Sequence, residues 1–149
     1  DSVNGWIRFT YPAIEGGREV EGVELTFKDG KVVLAKAQKN EEFLLTQLET
    51  DEGAKYLGEF AIGVNPYITQ PMKDTLFDEK IMGSIHITPG SSVAGCDNGN
   101  KSNIHWDLVL IQTEAWGGGE IWFDDVLIRK DGRFVLEGLQ GLNPENLKD

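Results

Sequence analysis

The chain has two histidines, His86 and His105, and the second opens the tripeptide His105-Trp106-Asp107. In an extended strand alternate side chains share a face, so His105 and Asp107 stand as neighbours. An imidazole nitrogen and a carboxylate oxygen on one face are ligands that Zn²⁺ and related hydrolytic ions accept. A hydrolytic centre needs more ligands, converging from separate strands, and a position left open for water. Glu59 and His86 qualify on paper, since each lies in or beside a stretch that reads as a strand. Each residue also has a plainer reading. The His-x-Asp pair can be two polar residues on a half-exposed strand, and His86, between Ile85 and Ile87, can be a hydrogen-bonded core histidine. Glu59 can be a surface carboxylate beyond a helix-ending Gly58.

The elements that must position these residues follow from periodicity and turn chemistry. Trp6 to Tyr11 alternates bulky and polar residues up to Pro12, and 14–18, with Gly16-Gly17, reads as a turn. Val23 to Phe27 and Val32 to Ala35 flank Asp29-Gly30, a strong hairpin signal. Asn40 is placed to cap a helix by accepting from first-turn amides, ahead of Phe43, Leu44, Leu45 and Leu48 at helical spacing. A second short helix is expected from Thr50, with Leu57 closing its apolar face and Gly58 ending it.

Beyond it, Glu59 to Val64 and Gly83 to Thr88 read as strands, separated by the Asn65-Pro66 turn and by a loop or helical turn from Asp74 to Glu79. A polar loop fills 90–102 and is long enough to carry function. Ile104 to Ile111 is the strand of the His-Asp pair, with Ile104, Trp106, Leu108 and Leu110 on its opposite face. Glu120 to Phe123, Val126 to Arg129 and Arg133 to Leu136 form a closing β segment with a hairpin turn at Asp131-Gly132, and the tail beyond Gly138 is expected to fray. The fold class expected is α+β in a single domain, 1–149: a mixed, largely antiparallel sheet with β-hairpins and one or two helices in the first half.

Composition narrows the functions. A chain of 149 residues buries roughly 68–70% of its unfolded surface and can fold without staples. A net charge of −11 argues against nucleic acid and against an acidic membrane surface. The longest apolar runs, such as Leu108 to Ile111, are far too short to span a bilayer. The single cysteine, Cys96, excludes an internal disulfide and fits a reducing, cytoplasmic setting; with Asp97 beside it and no nearby cation, it lacks the surroundings of a catalytic thiolate. The chain begins at Asp1 and enters a strand pattern at once, as an excised piece of a longer protein would. Gly117-Gly118-Gly119 lacks the Lys-Ser/Thr of a phosphate loop and reads as a hairpin connection. Of the four tryptophans, Trp106 and Trp122 have the pattern of core residues; together the tryptophans could also line a carbohydrate groove.

Four segments in order, Leu57-Gly58-Glu59, Thr75-Leu76-Phe77-Asp78-Glu79, Gly83-Ser84-Ile85-His86 and Asn103-Ile104-His105-Trp106-Asp107, shift the weighing. Together they resemble the C-terminal catalytic region of the thermophilic aminopeptidase family, metallopeptidases of the aminopeptidase T and aminopeptidase S type. The resemblance runs over nearly the whole chain. It implies a two-metal exopeptidase, described with zinc or cobalt, that removes N-terminal residues from peptides by metal-activated water. By the same resemblance Glu59, His86, His105 and Asp107 are metal ligands, and the parent is a homodimer. Asp78 and Glu79 match the family's segment near the site but receive no chemical step.

The chain departs from the family pattern at two points. A further family glutamate falls upstream of Asp1, in a missing N-terminal part, and the family tyrosine after the first histidine aligns near Val93, which cannot donate a hydrogen bond. Tyr67 is the nearest alternative in sequence. The leading expectation is therefore a metallo-aminopeptidase fragment, weak or inactive alone. The alternative is a divergent non-catalytic module that binds metal or peptide on the same fold.

Overall fold

Apolar-polar alternation in the first quarter produces two antiparallel ladders. The structure, a computed structural model, describes residues 2–148; Asp1 and Asp149, at the start and end of the sequence reading, lie outside them. Strands β1 (Gly5–Arg8), β2 (Ala13–Glu15), β3 (Arg18–Val20), β4 (Glu24–Lys28) and β5 (Lys31–Lys36) come first. β1, β4 and β5 form one antiparallel sheet, turned at Asp29-Gly30, where both residues have positive φ. The segment expected as a turn at 14–18 is in fact a small hairpin, β2–β3, reversing at Gly16-Gly17.

Helix α1 (Glu41–Leu48) forms where the spacing predicts it and buries Leu44 and Leu48 against Val20, Val23, Leu25, Phe27 and Val32. Its cap differs from expectation. Asn40 sits in the left-handed region at φ 57°, a conformation asparagine tolerates, and its side chain makes no capping bond. Instead its amide donates to the Glu19 carbonyl at 2.7 Å, while Glu41 folds back to accept from the Ala37 amide at 2.9 Å. The expected second helix is a 3₁₀ turn at Glu52–Lys55, capped by Asp51, whose carboxylate accepts from the Ala54 amide at 3.0 Å. Leu57 does not close it, and Gly58 does not end it: both belong to strand β6 (Leu57–Ile62).

A second antiparallel sheet, in the order β6, β7 (Ser84–Pro89), β8 (Leu108–Ile111), carries the histidines; helix α2 (Thr75–Asp78) lies in the connection between β6 and β7. The strand expected over Ile104–Ile111 joins the ladder only from Leu108. Upstream the pairing thins to a Trp106 amide donating to the Pro89 carbonyl at 3.2 Å and a bridge between Gly90 and His105. β8 is also covered on both faces. Trp106 and Leu108 enter the α1 core, while Val109 and Ile111 pack with Tyr11, Ile68 and Ile81.

The third sheet, β9 (Glu120–Phe123), β10 (Val126–Lys130) and β11 (Arg133–Phe134), is antiparallel with its turn at Asp131-Gly132. β8 and β9 do not pair, so the three glycines are no hairpin connection: Gly117 and Gly118, both at positive φ, close the 3₁₀ turn at Glu114–Trp116. Arg129 on β10 is buried and docks this sheet on the second, donating to the Ser84 carbonyl and to Gln112 Oε1, both at 2.8 Å. Burial pulls its guanidinium down to about 10. Trp106 is buried at 1% exposure, but Trp122, at 53%, is not a core residue: it faces out from β9. The expected fraying gives way, over the described residues, to ordered secondary structure. A 3₁₀ stretch (Glu137–Leu142) and helix α3 (Pro144–Leu147) follow β11, and buried Asn143 bonds both the amide (2.9 Å) and the carbonyl (3.0 Å) of Phe134.

The result is an α+β fold with largely antiparallel sheets and few helices, in which the second sheet supplies most of the candidate site.

Candidate metal centre

Strand register decides which side chains meet. β7 pairs with β8 so that Ile87 faces Leu108 and His86 faces Val109; continued outward, the same register sets Thr88 beside Asp107 and gives the observed bridge between Gly90 and His105. On the other side, Leu57 faces Pro89 but Glu59 faces Thr88, a one-residue shift that makes Gly58 a β-bulge. Had the regular register from Leu57–Pro89 run on through Gly58, Glu59 would sit opposite Ile87 and point to the other face of the sheet. With the bulge, Glu59, Thr88 and Asp107 form one row, flanked by His86 and His105 on the same face.

The geometry is tight. Glu59 Oε1 lies 3.7 Å from His86 Nε2, Glu59 Oε2 lies 3.5 Å from His105 Nε2, and Asp107 Oδ1 lies 3.3 Å from His105 Nε2. All four residues read from the sequence as candidate ligands therefore come together. The ligand atoms fall into two groups, Glu59, His105 and Asp107 in one and Glu79, His86 and Asp107 in the other. Within each group all atoms lie within 4.8 Å of one another, and Asp107 is common to both.

Glu79 is the residue the sequence reading left without a role. It follows α2, whose start is fixed by Asp74 accepting from the Leu76 amide at 3.0 Å. Asp78 turns inward and is buried, accepting from the amides of Met72 (2.7 Å) and Asp74 (3.0 Å). The next carboxylate is thereby delivered to the histidine face. The Asp-Glu pair in Thr75-Leu76-Phe77-Asp78-Glu79 was the available signal; a strand-parity argument cannot dock a helix.

Both imidazoles are held from behind. His86 Nδ1 is 3.2 Å from the Glu79 carbonyl, and His105 Nδ1 is 2.7 Å from the Ser91 carbonyl. A carbonyl only accepts, so Nδ1 carries the proton in each bond and Nε2 is the ring atom turned toward the carboxylates, the atom a metal-ligating histidine would offer. Asp107 accepts from the buried Thr88 hydroxyl. The site is closed at His86 and open at His105, whose side chains are 8% and 33% exposed. Burial, and after it the Asp107 charge, raises the carboxyl of Glu15, from the β2–β3 hairpin, above the ordinary range.

This donor set, two carboxylates and one imidazole per group, suits a divalent transition ion better than the all-oxygen cages of calcium or magnesium. Val93 is half-buried in the loop that touches the site through Ser91, and Tyr67 is exposed.

Comparison with known proteins identifies the relatives of this chain. The family model described as thermophilic metalloprotease (M29) matches residues 1–134. The chain is 40% identical over 115 residues to aminopeptidase AmpS of Bacillus subtilis, covering 73% of this chain and 27% of that protein. It is 34% identical over 124 residues to aminopeptidase T of Thermus thermophilus, covering 74% and 30%. The solved structure of wild-type AmpT from Thermus thermophilus superposes with a TM-score of 0.71 at 30% identity, over 89% of this chain and 36% of that one. The chain thus spans about a third of the length of these relatives, and the match falls in their C-terminal part. A profile match over most of the chain, a shared fold and relatives that are all aminopeptidases converge: this chain belongs to the thermophilic metalloprotease (M29) family.

Proposed function

We propose that the chain is the C-terminal catalytic portion of a metal-dependent aminopeptidase, forming one domain over 1–149, in which Glu59, His86, His105, Asp107 and Glu79 hold two divalent ions, zinc or cobalt. The observation that carries this reading is the convergence of five side chains into two ligand groups sharing Asp107. When bound, paired ions polarise a scissile carbonyl and lower the pKa of water to near neutrality. The chain's own residues do the rest. Two backbone carbonyls fix the imidazole tautomers, and the buried end at His86 limits water while the open end at His105 admits a peptide. The carboxylates that surround the centre also suit the free ammonium group of a peptide's N-terminus.

The reading includes a family glutamate from an upstream segment, so that this chain alone is weak and the longer parent, a cytoplasmic homodimer, is active. Its single cysteine is what supports the reducing compartment. Leucyl-p-nitroanilide hydrolysis with added Zn²⁺ or Co²⁺ tests the proposal: the parent should turn over, and His86→Ala should abolish turnover. Rapid hydrolysis by the 149-residue chain alone would refute the need for the upstream glutamate. Val93, with no donor to offer, favours a second reading, a module that binds metal or peptide without catalysis; a parent that binds ions and never turns over would establish it.

A further inference from the structure

Thr88 occupies the middle of the ligand face and has no obvious place there. Threonine is fully buried at this point, flanked across the strands by Glu59 and Asp107 and two residues along from His86. A buried hydroxyl without a partner is destabilising, and this one has a single side-chain partner: it donates to Asp107 Oδ1 at 2.5 Å. The same oxygen lies 3.3 Å from His105 Nε2.

The bond matters because of what Asp107 is asked to do. It is the residue common to both ligand groups, so the orientation of its carboxylate bears on both. The terminal torsion of aspartate is broad and roughly two-fold, and packing alone holds it poorly. Asp107 also lies just outside the regular ladder, before β8 begins at Leu108. Pinning one oxygen from β7 sets the carboxylate plane, and with it the direction of the other oxygen.

We infer that Thr88 is a positioning residue of the metal centre, its hydroxyl fixing the rotation of Asp107 so that one carboxylate serves both ion positions. This rests on the two-ion reading above. Removal of an outer partner of a metal ligand weakens affinity about 10–100-fold.

The test is cobalt titration of the chain, followed by calorimetry and by the visible spectrum of Co²⁺. The unsubstituted chain should bind two ions. Thr88→Val, nearly isosteric, should keep one ion and weaken the other about 10–100-fold with an altered spectrum; Thr88→Ser, which restores the hydroxyl, should recover both. Thr88→Ala, which adds no atoms, serves in place of valine if the valine variant does not fold. Melting of the metal-free proteins reports the folded state. Two ions with unchanged affinities in the valine and alanine variants, or a serine variant as weak as valine, would overturn the role of Thr88. No cobalt uptake by the unsubstituted chain would instead overturn the two-ion reading itself.

Discussion

Replacing Gly58 with alanine should damage stability and metal binding together, because one backbone contact links the bulge to His105. A Cβ at Gly58 would overlap the Gly90 carbonyl and stand 2.5 Å from the Ser91 oxygen, which are backbone atoms that cannot rotate away. Overpacking of this kind costs about 1–3 kcal/mol. In a chain near this length each kcal/mol lowers the melting temperature by roughly 2–4 °C, so the expected fall is roughly 2–12 °C. The Ser91 carbonyl that must move is also the acceptor for His105 Nδ1 at 2.7 Å. Releasing that imidazole should weaken the ion held with Glu59 and Asp107 by about 10–100-fold. Scanning calorimetry and cobalt titration read the two effects separately. Gly63→Ala is the comparison, since its Cβ would collide with the Ile81 carbonyl and the Ser84 hydroxyl at the other end of the same strand, without touching Ser91. If Gly58→Ala loses stability but binds cobalt as the parent does, the glycine serves packing alone, and the link to His105 is refuted.

Chelation should lower the melting temperature, since three carboxylates converge around the two imidazoles; each ion at 100 times its dissociation constant adds about 2.7 kcal/mol, and a melting curve indifferent to chelator and to cobalt would contradict this. Glu79→Gln should weaken one ion position while sparing His86, whose Nδ1 bonds the Glu79 backbone carbonyl; loss of both ions on titration would argue against separate positions. The Tyr11 phenol is raised above its ordinary value by burial and then by Asp78, so the folded state keeps its proton longer than the unfolded one. Its contribution to stability is complete below the unfolded pKa and is lost as pH climbs through the folded one; in alkaline absorbance titration, Tyr11→Phe should remove a phenol that ionises above the ordinary range. Asn143→Ala breaks two bonds to Phe134 and should cost about 1–3 kcal/mol, with faster amide exchange confined to the tail; uniform exchange would contradict its role as a clamp.

What could be read from the sequence was local. Asp29-Gly30 and Asp131-Gly132 announce their hairpins because positive φ at both positions leaves few residue choices. Strand parity put His105 and Asp107 on one face, and that holds even where the ladder has thinned to a bridge. Parity says nothing about what covers the opposite face or the same face farther on, so the burial of Val109 and Ile111 under Tyr11, Ile68 and Ile81 was not legible. Asn40 was read for its side chain, whereas its backbone conformation was what the turn from β5 into α1 used. The tail looked polar and free because the residue that fastens it, Asn143, is itself polar, and its partner is backbone.

Gly58 shows why the centre could be suspected from the sequence but not built from it. Adjacent strands stand about 4.8 Å apart, so a row of three strands naturally brings side chains within reach of one ion. Parity by itself, counted from the Leu57–Pro89 pair, places Glu59 on the wrong face. One extra residue corrects this, and only glycine fits there, against the Gly90 and Ser91 carbonyls. The sheet then supplies one complete ligand group and two of the three members of another. The second is completed from outside it, by a carboxylate that Asp78 holds in place through two backbone amides. A shared Asp107 joins a group made by register to a group made by helix docking, so disturbing the bulge should be felt at the position Glu59 helps form and disturbing the Asp78 anchor at the one Glu79 completes, while only a change at Asp107 reaches both.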